Sequence, residues 1–245
     1  VQAVILDWAG TAVDYGSIGP VAVFLEVFDL FDVPVTTDEA RRFMGLAKKE
    51  HIRRMCALAS VRDRWRVQHG REPQETDVEA MYRETETRMV AAIAAHADPI
   101  PGLLDTVAEL RRRNIRIGST TGYTAPMMAE LSPAAATKGY APDVVVCASD
   151  VPAGRPHPWM CYKNAIDLQV YPLEAVVKIG DTVSDILEGC NAGMWTIGLT
   201  RSGNELGLTE AQTRELAAEE LEGRLAEIRQ RFTAAGADYT AEGIW

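Results

Sequence analysis

The chain has 245 residues, 47% hydrophobic and 24% charged, enough for a sizeable core in one large domain or two small ones. Its net charge of −10 and pI near 5.0 argue against nucleic acid or an anionic membrane as the main partner, although a local cation cluster or a metal can still hold an anionic substrate. No apolar run approaches the ~20 residues of a membrane span, no signal-peptide pattern is evident, and four scattered cysteines (Cys56, Cys147, Cys161, Cys190) read as reduced thiols of a cytoplasmic protein.

The first predicted element is Ala3-Val4-Ile5-Leu6, a short uncharged run that reads as a buried parallel strand. It delivers Asp7 to its carboxyl end, where open α/β sheets hold their ligands. From Ile18 to Pro99 no strand is evident. Val21–Phe31 has a helical apolar period, Thr36 or Thr37 caps a helix beginning Thr37-Asp38-Glu39-Ala40, and Lys49–Ala59 and Thr76–Ala95 read as further helices. Some 80 residues without a strand are too many for a loop. The expectation is an inserted all-helical cap domain, residues 18–99, on a core formed by residues 1–17 and 100–245.

In that core, strands at Ile115–Thr120, Val144–Cys147, Val176–Gly180 and Thr196–Leu199 alternate with helical patterns at Ala125–Lys138, Pro158–Leu168 and Val183–Ala192. Such alternation predicts an α/β fold with a doubly wound, Rossmann-like parallel sheet. Parallel strands place their carboxyl ends together, so Ser119 and Asp181 should share an edge with Asp7. The tail from Leu208 to Ala235 reads as helical, with charges spread as on a solvated face.

Four stretches on this edge carry chemistry. In Asp7-Trp8-Ala9-Gly10-Thr11 a carboxylate can attack phosphorus, and Gly10 lets the backbone amides approach the phosphoryl group. An Asp that only caps a turn is the plainer reading. In Gly118-Ser119-Thr120-Thr121-Gly122-Tyr123-Thr124, hydroxyls and helix N-terminal amides can hold phosphoryl oxygens, with Ser119 or Thr120 as the candidates. Arg155, within Val151–Pro158, offers a planar donor fork that suits a phosphoryl group. In Lys178-Ile179-Gly180-Asp181-Thr182-Val183-Ser184-Asp185, two carboxylates on one turn make an oxygen-rich site for a hard ion such as Mg²⁺.

A fifth stretch lies in the helical insert. Met44, Lys48 and His51 share a face if residues 43–53 are helical. Like charges on Lys49, His51 and Arg53, with burial, would lower the pKa of Lys48 and ready it for imine chemistry. The same residues are equally a basic helix start on a solvated surface.

Taken in order, the four edge motifs resemble those of the haloacid-dehalogenase-like superfamily. With Met-Gly-Leu-x-Lys at 44–48, nearly the whole chain resembles that superfamily's phosphonatase branch, the phosphonoacetaldehyde hydrolases. Superfamily phosphatases carry a second Asp two residues after the nucleophile, to protonate a leaving alkoxide; here that position is Ala9. The resemblance implies cleavage of a carbon–phosphorus bond, with Lys48 forming a Schiff base to the aldehyde, Asp7 as nucleophile and Arg155 on the phosphoryl group. It implies Mg²⁺ held by Asp7, the backbone carbonyl of Ala9, Asp181 and Asp185. It implies that Met44, Gly45, Ser119, Thr121 and Tyr123 line the substrate site, that His51 shuttles a proton, and that the protein is a homodimer joined through the cap. The alternatives are a phosphate-monoester phosphatase, which Ala9 disfavours, and a non-catalytic phosphate-binding module, which the joint presence of Asp7, Arg155, Asp181 and Asp185 disfavours.

Overall fold

In the computed structural model, which describes residues Val1–Trp245, the first strand, β1 (Ala3–Leu6), is wholly buried. Successive side chains of a strand point to opposite faces. Val4 and Leu6 accordingly join one hydrophobic cluster, and Ala3 and Ile5 a second on the other side of the sheet. A strand covered on both faces has no place for a charge until it ends, and it ends at Asp7.

Five α-helices make up the insert that follows: α1 (Ile18–Leu30), α2 (Thr37–Arg41), α3 (Lys48–Cys56), α4 (Ala59–His69) and α5 (Glu75–Ala92). Thr36 is the cap of α2: its Oγ1 accepts from the Glu39 amide at 3.2 Å, and Glu39 Oε2 accepts from the Thr36 amide at 2.9 Å. The insert packs through Phe24, Phe28, Ile52, Met55, Trp65 and Met81, which belong to the same 38-residue cluster as Val4 and Leu6 of β1. One apolar core thus runs from the sheet into the helices. The chain's two crossings lie side by side, with the Ile100 amide donating to the Ala12 carbonyl at 2.9 Å and Val13 bridged to Pro99.

The rest alternates: α6 (Leu103–Arg112), β2 (Arg116–Thr121), α7 (Ala125–Thr137), β3 (Val144–Cys147), α8 (Trp159–Asp167), β4 (Val176–Gly180), α9 (Val183–Ala192), β5 (Trp195–Leu199), α10 (Glu210–Glu215), α11 (Ala218–Ala234) and β6 (Tyr239–Ala241). The sheet is parallel throughout, in the order β3-β2-β1-β4-β5-β6. The predicted α/β doubly wound sheet is therefore observed, with β1 between β2 and β4. No helix is long and apolar enough to cross a membrane.

Three elements lie outside the sequence reading. Helix α4 buries only Val61 and Trp65, too thin a stripe among its arginines to stand out. Helix α6 buries only Leu103 and Val107. Strand β6 is a three-residue edge strand, exposed at both ends, so no apolar pattern announces it. A fourth difference concerns Met44, which lies in a turn before α3 and not on its face.

Candidate active site

The register decides what meets at the sheet edge. Leu6 is level with Ser119 of β2 and with Ile179 of β4, so Asp7 emerges beside Thr120 and Gly180. Asp181 follows β4, and Asp185 sits on the first turn of α9. Carboxylate oxygens of Asp7, Asp181 and Asp185 all lie within 4.8 Å of one another, and all three residues are buried. Gly10 makes this approach possible. Its φ of +89° belongs to glycine, and a Cβ there would stand 2.2 Å from Asp181 Oδ2.

Each carboxylate is held differently. Arg155 Nη2 donates to Asp7 Oδ1 at 2.7 Å, and no hydrogen bond reaches Asp7 Oδ2. Asp181 accepts from Thr11 Oγ1 at 3.0 Å and from the Asn204 amide at 2.7 Å. Asp185 is committed on both oxygens, Oδ1 to Lys178 Nζ at 2.7 Å and Oδ2 to Thr182 Oγ1 at 2.6 Å. Asp7 thus keeps one oxygen without a hydrogen bond, and Asp181 accepts only from neutral donors. Asp185 alone of the two later carboxylates is held by cations, Lys178 at 2.7 Å and Arg155 at 3.1 Å, so Asp7 and Asp181 are the oxygen donors left for a cation and Asp185 braces them.

The electrostatics follow. Burial, then the charge of Asp185, pushes the Asp7 carboxyl up, against the pull of Arg155 and Lys178. Burial and the charges of Asp7 and Asp185 push Asp181 well above the usual range. Burial also acts to raise Asp185, but Arg155 and Lys178 together hold it below its ordinary value. Within ion-pair distance the four buried carboxylates Asp7, Asp181, Asp185 and Glu188 have only two cations, Arg155 and Lys178, and Asp181 has neither, so the cluster carries an excess of two negative charges when ionised. An all-oxygen donor set with that excess fits a hard divalent cation.

Over this edge the turn before α3 closes a small cavity. Gly45, at φ +88°, lies so close that a Cβ would stand 2.5 Å from Thr182 Oγ1. The cavity brings Asp7, Ala9 and Arg155 together with Met44, Gly45 and Lys48 of the insert, and with Thr121 and Tyr123 after β2. Lys48 is only 4% exposed, with Nζ 4.5 Å from the Tyr123 ring centroid and 5.7 Å from that of Phe24. The solvated-surface reading of Lys48 is excluded.

The pKa of Lys48 is lowered from 10.5 to about 8, chiefly by burial. Asp7 opposes the shift and Arg155 adds to it. Of the two causes expected, burial is the one at work and the neighbouring charges of Lys49 and Arg53 are not. Lys49 pairs with Glu79, and Arg53 pairs with Glu75 at 2.6 Å, so their charges are met at the surface.

Besides Asp181 and Asp185 of the carboxylate cluster, two residues named from sequence for the substrate and the proton do not line the cavity. Ser119 is a correction: it lies one residue inside the sheet, level with Leu6, and its Oγ donates to the Val144 carbonyl of β3 at 3.1 Å. Neighbouring Thr120 takes the position beside Asp7, where its Oγ1 accepts from Arg155 Nη2 at 2.8 Å. His51 is wholly buried behind Lys48. A carbonyl can only accept, so the 2.7 Å contact with Ala40 places the imidazole hydrogen on Nε2. Nδ1 has no partner. Burial, with the charge of Lys48, lowers the His51 pKa to about 3, so the ring is neutral.

The structure adds residues to which the sequence reading gave no role. Ser17, in the left-handed region at φ 50°, lines the cavity with a buried Oγ that has no hydrogen-bond partner. Nothing in the sequence marks it. Lys178 did leave a signal, a charge in the middle of an otherwise apolar strand, and it is 1% exposed.

Residues 1–193 match the family model for haloacid dehalogenase-like hydrolases. A phosphonoacetaldehyde hydrolase-like protein of Syntrophobacter fumaroxidans is 57% identical over 244 residues, covering 100% of this chain and 88% of the relative. A phosphonoacetaldehyde hydrolase of the same organism is 56% identical over the same shares of each. The crystal structure of a phosphonoacetaldehyde hydrolase-like protein from Oleispira antarctica superposes with a TM-score of 0.98 at 38% identity, covering 100% of this chain and 88% of that one.

Proposed function

We propose, for a chain that belongs to the haloacid dehalogenase-like hydrolases and within them to the phosphonoacetaldehyde hydrolase family, that it hydrolyses the carbon–phosphorus bond of phosphonoacetaldehyde to acetaldehyde and phosphate. The observation that carries this reading is a buried lysine with a lowered pKa in the same cavity as Asp7 and Arg155, with Ala9 where a phosphatase needs an acid. The division of labour is a core of residues 1–17 and 100–245 that handles phosphorus and a cap of residues 18–99 that handles the aldehyde.

Breaking a carbon–phosphorus bond leaves a carbanion, a very poor leaving group. The neutral amine of Lys48 attacks the aldehyde, and the adduct loses water and keeps one proton on nitrogen, forming a protonated imine. Its nitrogen then receives the electron pair when carbon leaves phosphorus, giving an enamine. With a pKa near 8 about a tenth of Lys48 is neutral at pH 7, against roughly 0.03% for an unperturbed lysine. Asp7 Oδ2, free of hydrogen bonds, attacks phosphorus while Arg155 holds Oδ1. Arg155 also meets the charge that develops on the phosphoryl oxygens. No alkoxide forms, so Ala9 costs nothing in this half-reaction. Protonation of the enamine carbon and hydrolysis of the imine release acetaldehyde and restore Lys48. Water then attacks the aspartyl phosphate, releasing phosphate and restoring Asp7. Neutral His51, with its bare Nδ1 behind Lys48, is the proton relay of this reading. Mg²⁺ held by Asp7, Asp181 and the Ala9 carbonyl, with Asp185 bracing, would neutralise the repulsion between a phosphoryl dianion and these acids. The reading includes a homodimer joined through the cap and a reducing, cytoplasmic setting in which the cysteines stay thiols.

The test is acetaldehyde release from phosphonoacetaldehyde with Mg²⁺, coupled through alcohol dehydrogenase to NADH oxidation. Steady turnover supports the reading, and none from folded, metal-loaded protein sinks it. Chelation with excess EDTA should lower turnover by about 10²-fold or more, with recovery on adding Mg²⁺. Full activity under EDTA would remove the metal from the reaction.

The pH profile follows from Lys48. Burial lowers its pKa, so the reactive neutral form is lost below about 8. The value of kcat/KM should rise about tenfold per pH unit up to 8 and then level off. A rise continuing toward pH 10 would mean that Lys48 titrates as a solvated lysine.

A further inference from the structure

Beneath Asp7 lies a network that the proposed chemistry does not name. Glu188 sits on α9, one turn beyond Asp185, and is wholly buried. Residues three apart share a helix face, so α9 presents both carboxylates to the same cations. Arg155 Nε donates to Glu188 Oε2 at 2.8 Å, and Thr120 Oγ1 donates to the same oxygen at 3.1 Å. Lys178 Nζ stands 2.7 Å from Asp185 Oδ1 and 3.6 Å from Glu188 Oε2.

We propose that Glu188 is a positioning residue for Arg155, gripping the guanidinium at Nε and so aiming its Nη groups at the nucleophile and at the phosphoryl group. The inference rests on the hydrolase reading above. A guanidinium is planar, and its donors form a rigid fork. A bond to Nε therefore orients both Nη groups. Nη2 is consumed: it donates to Asp7 Oδ1 at 2.7 Å, Thr120 Oγ1 at 2.8 Å and the Thr120 carbonyl at 3.1 Å. Nη1 reaches only the Gly45 carbonyl, at 3.3 Å, and is the donor left for a phosphoryl oxygen in the cavity.

The arrangement has a consequence during turnover. Asp7 loses its negative charge when it becomes an aspartyl phosphate, so its hold on Arg155 weakens at that step. Glu188 does not itself line the cavity and forms no bond to phosphorus at any step. It keeps the fork in place when Asp7 cannot. Lys178, threaded under α9 at Gly189, where a Cβ would stand 2.9 Å from its own Cβ, supplies the second cation that the Asp185–Glu188 pair needs.

Glu188→Gln keeps the shape and removes the charge. With Mg²⁺ present, it should weaken binding of inorganic phosphate, read by calorimetry, about tenfold or more. It should lower kcat/KM for phosphonoacetaldehyde by a similar or larger factor. Borohydride trapping of acetaldehyde on Lys48, which does not use Arg155, should stay within about twofold. In an Arg155→Lys background there is no fork to aim, and adding Glu188→Gln should cost less than about threefold more. Equal losses in both backgrounds, or a parallel loss of trapping, would overturn the proposal. Should Glu188→Gln fail to fold, Thr120→Val removes the hydroxyl joining Glu188 to Arg155, and must weaken phosphate binding without touching trapping. Unchanged phosphate binding in that variant would also overturn it. If the unaltered protein binds phosphate but releases no acetaldehyde, the hydrolase reading fails, while the calorimetric cycle still decides the role of Glu188.

Discussion

Lys48→Arg is expected to abolish acetaldehyde release, by about 10⁴-fold or more, the order lost when a covalent catalyst is removed. Arg keeps the positive charge but cannot shed a proton near neutral pH, so it forms no imine. Without the imine the electron pair of the breaking carbon–phosphorus bond has nowhere to go. Lys48 is 4% exposed and lies against Tyr123 and Phe24, so the longer side chain is expected to cost about 1–3 kcal/mol in packing. Thermal unfolding and circular dichroism must accompany the assay to separate that loss from loss of chemistry. Calorimetry with inorganic phosphate gives a second control, because Asp7 and Arg155 are untouched. Normal turnover in a folded Lys48→Arg protein would end the Schiff-base mechanism.

Asp7→Asn is the complementary expectation. The amide cannot attack phosphorus, so turnover should again fall by about 10⁴-fold or more. Borohydride with acetaldehyde should still label Lys48, which places the two halves of the reaction on different residues. Stability should move the other way. Burial and the charge of Asp185 raise the Asp7 carboxyl above its unfolded value, so an ionised Asp7 opposes folding at neutral pH. The sign is that of a raised acid: the cost is present above the folded pKa and disappears as the group protonates. Asp7→Asn removes that cost, and the metal-free protein should melt at a higher temperature than the unaltered one. A lower melting temperature would mean that the Arg155 contact outweighs the crowding of carboxylates. Loss of trapping along with turnover would mean that Asp7 takes part in imine formation.

Much of this site was legible before any fold was known, for a physical reason. The strand before Asp7 and the turn after Gly180 are local patterns, and parallel topology alone carries their ends to one edge. Asp7, Arg155, Asp181 and Asp185 could be brought together by counting strands. The helical insert could be read as an insert because no strand period interrupts it. Asp185 shows where such reading stops. Its place on the first turn of α9 was plain, but the commitment of both its oxygens to Lys178 and Thr182 was not.

The sequence by itself determined the elements and the chemistry they can carry: an apolar strand ending in a carboxylate, a two-carboxylate turn, an arginine between prolines, and an alanine in place of an acid. Only the tertiary structure decided the state of those groups. Lys48 and Lys49 are adjacent and chemically identical, yet one is buried beside Tyr123 with its pKa near 8 and the other pairs with Glu79 at the surface. Ser119 and Thr120 were interchangeable candidates until the register set Thr120 beside Asp7 and turned Ser119 toward β3. Burial and the nearest charge set a side chain's protonation and reach, and both depend on contacts between residues far apart in the chain.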